Sequence, residues 1–212
     1  MSASDPSIST PYDHIAEDFG ALRTALLPNE VRYLGLLLEP LEPGSQIVDL
    51  GCGTGTPVAT FIAAKGHHLT GVDGSAEMLA MAQQTLPEHR WIHGYIDQVE
   101  FDAGEVFDAA LCWDSLFHLP RAVHYTVLAK VHQWLRPGGR LMVSSGGSVD
   151  PGPEGFTDTM FGHEFYYDSV SPTEMTAMLE EIGFRIVLGE MCNQPDGDRD
   201  KGKWATVAEK QG

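Results

Sequence analysis

Residues 47–57 read IVDLGCGTGTP, an apolar, β-branched run that breaks into glycines alternating with small polar residues. The run predicts a strand over 46–51, and TPVATFIAAKG (56–66) predicts a helix closed by glycine. A strand entering a bare turn and then a helix is a nucleotide-binding arrangement. The missing side chains let a ligand approach the backbone, and the helix N-terminus offers free N–H groups. A dinucleotide fingerprint requires G-x-G-x-x-G. Gly51, Gly53 and Gly55 instead give G-x-G-x-G, with Thr56 where the last glycine of that fingerprint would stand.

The pattern on either side is repetitive. HLTGVD (68–73) reads as a strand and SAEMLAMAQQTL (75–86) as a helix with Ser75 as N-cap. RWIHGYI (90–96) and FDAALCW (107–113) read as the next strands, the second nearly all apolar, as for a parallel strand covered on both faces. RAVHYTVLAKVHQWL (121–135) is a helix, RPGG a turn and RLMVSSG (140–146) a fifth strand. This alternation predicts a doubly wound parallel sheet with helices on both faces. The end departs from it: a capped helix over 171–184 is followed by strands over 185–192 and 203–210, joined by about ten residues without a helix. Parallel neighbours need a longer crossover, so this pair is expected to be antiparallel. Two further helices are expected before the first strand, over 11–27 and 28–41, and residues 147–168 read as a long, aromatic-rich loop.

Asp73 closes the second strand, 22 positions after Gly51, where its carboxylate can accept both hydroxyls of a ribose. Both competing ligand classes share that feature, so it points to an adenosine-containing ligand without choosing between them.

Composition excludes several functions. The chain has 212 residues, with 30 acidic against 13 basic, and a formal charge of −17. Such a surface repels phosphate backbones and anionic lipid, so no nucleic acid and no membrane partner is expected. No apolar run approaches the roughly 18 residues of a membrane span, and the polar N-terminus carries no secretory pattern. Cys52, Cys112 and Cys192 are scattered and lack ligand spacing, which fits a reducing cytoplasm and no metal. The histidines likewise form no convincing ligand set.

Taken in order, VDLGCGTG, GVDGSAEMLAMAQ, FDAALCWDSLFHLP and LRPGGRLMVSSG resemble the successive motifs of class I S-adenosylmethionine-dependent methyltransferases over residues 46–146. The resemblance implies a Rossmann-like seven-stranded, mostly parallel sheet with an antiparallel last strand. It also implies S-adenosyl-L-methionine as cofactor and S-adenosyl-L-homocysteine as product. Asp49, Gly51, Gly53 and Gly55 would line the methionine part, Asp73 and Gly74 the ribose, and Met78 the adenine. The family's Gly-Asp pair after the third strand reads Gly94-Tyr95 here, so Asp97 two positions on, or Tyr95 and Ile96, would serve the adenine. Trp113 would mark where the active site begins, and the helix carrying Tyr12 and Phe19 would cover the cofactor.

The expected organisation is one methyltransferase domain, monomeric or homodimeric. Residues 1–45 form a helical cover, 46–146 the cofactor-binding core, 147–170 a substrate lid and 171–212 the terminal helix and strands. The expected reaction is in-line methyl transfer to a small molecule. A cyclase, lyase or decarboxylase using the same cofactor, an NAD-dependent oxidoreductase and a non-catalytic cofactor-binding module are the alternatives. An alcohol or phenol acceptor needs a general base. Asp114 and His118, after the fourth strand, and His163 and Tyr166, in the long segment, are the candidate catalytic residues.

Overall fold

The fold is a computed structural model that describes residues 10–149, 155–194 and 202–212. The polar leader and parts of the two long connections lie outside the described residues. Seven strands form the main sheet in the order β3-β2-β1-β4-β5-β9-β8. They are β1 (Gln46–Leu50), β2 (His68–Asp73), β3 (Arg90–His93), β4 (Phe107–Cys112), β5 (Leu135–Gly146), β8 (Phe184–Asn193) and β9 (Lys203–Lys210). β9 runs antiparallel to both β5 and β8, and the pairs among β1 to β5 are parallel.

The apolar strands serve two cores because successive side chains face opposite sides. Ala110, Cys112, Leu141 and Val143 meet α5 (Arg121–Trp134) and α6 (Pro172–Ile182) through Leu128, Val131, Met175 and Leu179. Ala109, Leu111 and Met142 meet α2 (Pro28–Leu38) and α3 (Val58–Ala64) through Tyr33, Leu34, Leu37 and Ile62. Helix α4 (Ala76–Thr85) starts on Ser75, whose Oγ accepts from Met78 N at 3.2 Å. Helix α6 carries a capping box between Ser171 and Glu174 and ends on Gly183 at φ 112°.

Several boundaries differ from expectation; RPGG, read as a turn before a strand at 140, lies within β5, which begins at Leu135. The helix over 11–27 is broken into a 3-10 turn, Pro11–His14, and α1, Ala16–Leu22. Asp13 closes that turn by accepting from Thr10 N at 2.9 Å, and the extended helix yields to this local bond. Helix α2 stops at Leu38, short of 41. β3 ends at His93: after a last rung from Gly94 N to Asp73 O, the chain enters a turn in which Gln98 N and Val99 N donate to Tyr95 O. The segment 147–168 is not a loop throughout: β6 (Phe156–Met160) and β7 (His163–Tyr167) pair as a separate two-stranded hairpin. Its two-residue turn places Phe161 at φ 50° and Gly162 at φ 80°, both in the left-handed region that such hairpins require.

Candidate functional site

The glycine turn hangs from β2. Gly51 N and Cys52 N both donate to Val72 O, and Gly53 N donates to Asp73 Oδ2 at 2.8 Å. Gly51 has φ 84°, and a Cβ there would lie 2.2 Å from Ser115 Cβ, so no side chain fits. Ser115 is fixed by donating to Leu50 O at 2.6 Å. Asp73 also accepts from Ser75 N at 2.9 Å; burial raises its pKa against those two bonds.

Around this turn lies a cavity of about 350 Å³. It is lined by Asp49, Gly51, Gly53, Asp73, Gly74, Met78, Tyr95, Ile96 and Trp113, and on the covering side by Tyr12 and Phe19. Asp114, His118 and Tyr166 line it as well. Gly55, Asp97 and His163 stand away from it. A Cβ on Gly55 would touch Ala82, Trp91 and Ala59, so this glycine lets helices and sheet approach. The Asp97 carbonyl accepts from Lys130, and the His163 ring stacks on His14 at 5.0 Å. Asp49 and Asp73 are two of the cavity's three carboxylates: burial, reinforced by Asp73, pushes Asp49 up to about 7. Cys52 is no nucleophile, because burial and the same two carboxylates hold its thiol well above the usual range.

A second cavity of about 670 Å³ adjoins the first and shares Tyr12, Phe19, Arg23, Asp114 and His118 with it. Its walls include Phe117, Phe156 and Tyr167; Tyr167 stacks on Phe156 at 5.4 Å and on Phe117 at 6.0 Å. Arg121 and Asp168 pair at its edge at 2.6 Å.

His118 occupies the junction. Its Nδ1 lies 3.0 Å from the carbonyl of Tyr166, which can only accept, so Nδ1 carries the proton. Nε2 then accepts from the Tyr12 hydroxyl at 2.9 Å. Burial holds the imidazole below its usual pKa, against the Tyr166 bond and the nearby Asp114. The result is an imidazole oriented by a backbone carbonyl, with its Nε2 bonded to the Tyr12 hydroxyl.

Several side chains at the site were not anticipated. Glu30, 1% exposed, accepts from Leu27 N, Arg23 and the indole of Trp113. Against the upward pull of burial, those bonds hold its carboxyl below the ordinary range. The PNE stretch at the start of α2 carried a signal for it, a glutamate at the third helical position. Lys203 pairs with Asp114, which sits at φ 54° and whose N–H donates to Ser144 Oγ. Among the described residues no three His, Cys, Asp or Glu side chains group to hold a metal, and no helix is long and apolar enough to cross a membrane.

The first cavity fits adenosylmethionine on its own geometry. It offers a cradle without side chains, a carboxylate at the tip of β2 for a ribose, apolar flanks at Met78 and Ile96, and a further acid, Asp49, for a cationic tail. Residues 47–139 match a methyltransferase domain family. Along 185 residues, 83% of its length, the chain is 28% identical to an O-methyltransferase of Penicillium expansum, of which it covers 66%. It spans between 44% and 66% of the lengths of this and two other curated relatives it matches. Among solved structures, it superposes with a TM-score of 0.63 and 22% identity on a Burkholderia thailandensis 1,6-didemethyltoxoflavin-N1-methyltransferase with bound S-adenosylhomocysteine, covering 98% of this chain and 93% of that one. The [4+2]-cyclase SpnF gives a TM-score of 0.71 at 18% identity, covering 94% of this chain and 93% of that one. Sheet order and glycine cradle are those of the fold these solved structures share, and residues 47–139 are similar to a methyltransferase domain.

Proposed function

We propose that the chain transfers a methyl group from adenosylmethionine to a hydroxyl of a small molecule held in the second cavity. One observation carries the hydroxyl: a neutral His118 whose Nε2 lone pair faces the junction of the two cavities. When bound, adenosylmethionine would supply an electrophilic methyl carbon to the acceptor oxygen, its sulfur keeping the C–S electron pair. Asp73 would hold the ribose, Met78 and Ile96 would flank the adenine and Asp49 would meet the ammonium end. As the O–C bond forms, His118 Nε2 takes the acceptor's proton. The carbonyl of Tyr166 then faces the resulting imidazolium and stabilises it. Tyr12, Phe19 and Phe165 keep water from the junction.

The 670 Å³ chamber supports a small-molecule acceptor. The acidic surface argues against nucleic acid, and three free cysteines fit the cytoplasm. A monomer or homodimer is sufficient, since the described residues of one chain furnish both cavities. The experiment is calorimetric titration with adenosylmethionine and adenosylhomocysteine for the wild type and Asp73→Ala, followed by labelled methyl transfer to a panel of hydroxylated acceptors. Micromolar binding lost in the variant, with labelled ether formed by the wild type, supports the proposal. Cofactor consumed or held without any methylated product points instead to a non-methylating enzyme or a binding module.

A further inference from the structure

The phenol of Tyr12 stands where His118 would meet its substrate. Its hydroxyl donates to Nε2 at 2.9 Å, and both residues line both cavities. Burial raises the Tyr12 pKa far above the ordinary range, so the group stays a neutral donor. The ring lies edge-on to Phe165 at 4.9 Å and to Phe19 at 5.7 Å. The site thus already displays a planar O–H group aimed at a neutral imidazole between aromatic edges.

The segment carrying this phenol is short and is fastened by polar bonds as well as by the packing of its ring. Pro11–His14 is a single 3-10 turn with no fully buried residue. Polar bonds to Asp13 fasten it: Thr10 N donates at 2.9 Å and Ser75 Oγ at 2.7 Å. Bonds of this kind exchange with water at small net cost, whereas core packing does not.

We infer that Tyr12 is an internal surrogate for the acceptor: its hydroxyl fills the subsite of a phenolic or enolic hydroxyl, and the acceptor reaches His118 by displacing it. The inference rests on the reading of His118 as the base. It narrows the substrate to planar molecules whose hydroxyl is borne on an sp² carbon, because the subsite is bounded by the rings of Phe19, Phe165 and His118.

The probe is 4-nitrophenol, whose absorption reports both its binding and the loss of its proton. The full-length chain is first titrated with adenosylhomocysteine alone, then with the probe at saturating adenosylhomocysteine. Tyr12→Phe is expected to bind the probe roughly three- to tenfold tighter than the wild type, since a competing neutral hydrogen bond is gone. The bound probe is expected to be shifted toward phenolate, and His118→Ala to abolish that shift. Asp13→Ala, outside both cavities, loosens the turn and is expected to change affinity in the same direction; it decides if Tyr12→Phe fails to fold. Equal or weaker probe binding in the deciding variant overturns the displacement. Failure of the wild type to bind adenosylhomocysteine overturns the methyltransferase reading, whereas normal binding with unchanged probe affinity overturns the displacement alone.

Discussion

Lys203, at the start of β9, donates to both carboxylate oxygens of Asp114 at 3.0 Å, with its ammonium 4.9 Å from the centre of the Trp113 ring. In a parallel sheet the carboxyl ends gather at one edge. Only a reversed strand brings its amino end to that edge, and β9 is that strand. Both side chains are partly open, 24% and 34% exposed, so solvent screens the pair. Lys203→Met is therefore expected to cost only about 0.5–1 kcal/mol in urea denaturation. Adenosylhomocysteine affinity should stay within about threefold, because Glu30 still holds the Trp113 indole.

Glu30 lies at the opposite extreme of exposure. Its carboxylate is buried and serves Arg23, Leu27 N and Trp113 at once. Glu30→Ala leaves the Arg23 charge and two N–H donors without their partner, at a cost of about 3–5 kcal/mol. A loss below 1 kcal/mol by chemical denaturation would show that the network is ornamental to the fold.

Gly51→Ala tests the cradle. The added methyl would meet Ser115 at 2.2 Å while the backbone stays at φ 84°. Strain and overpacking together predict about 2–4 kcal/mol of destabilisation, with adenosylhomocysteine binding abolished. A normal melting curve with intact binding would contradict the described turn.

Asp49 predicts a pH effect of defined sign. Its folded pKa, about 7, lies above the ordinary value of 3.8, so the folded state holds the proton more tightly. Between those values the folded protein binds more protons than the unfolded chain, and stability falls as pH rises. Asp49→Asn removes this loss. The gap in unfolding free energy between variant and wild type should widen from pH 4 to pH 7, by roughly 4 kcal/mol at most, and then level off. A gap that is constant over that range would remove Asp49 as the titrating group.

For His118 the sign concerns activity. On the proposed mechanism His118 works only when neutral, and burial lowers its pKa. The acid limb of kcat/KM is thus expected to fall below the ordinary histidine range, about pH 6.5. His118→Ala should lower kcat by about 10²- to 10⁴-fold and remove that limb. A variant with unchanged rate and pH profile would place the proton transfer elsewhere.

Much of this arrangement was readable because its chemistry is local. The glycines after β1, Asp73 at the end of β2 and the Ser75 cap all act within a few residues of one another or on adjacent strands. The two-sided burial of β4 is likewise written in FDAALCW. What escaped reading depends on distant pairing. Lys203 meets Asp114 only through the reversed strand, and Arg23 reaches Glu30 only because the chain bends after α1. The hairpin β6–β7 was hidden by its turn, where a phenylalanine occupies a left-handed position that sequence rules assign to glycine or asparagine.

The hairpin forms a sheet of its own and shares no backbone ladder with the seven strands that carry the cofactor half. Yet it supplies Phe156, Met160 and Tyr167 to the second cavity. No rung of the main sheet depends on it, so on the proposed function acceptor choice could drift, or be grafted, apart from the half that binds the methyl donor.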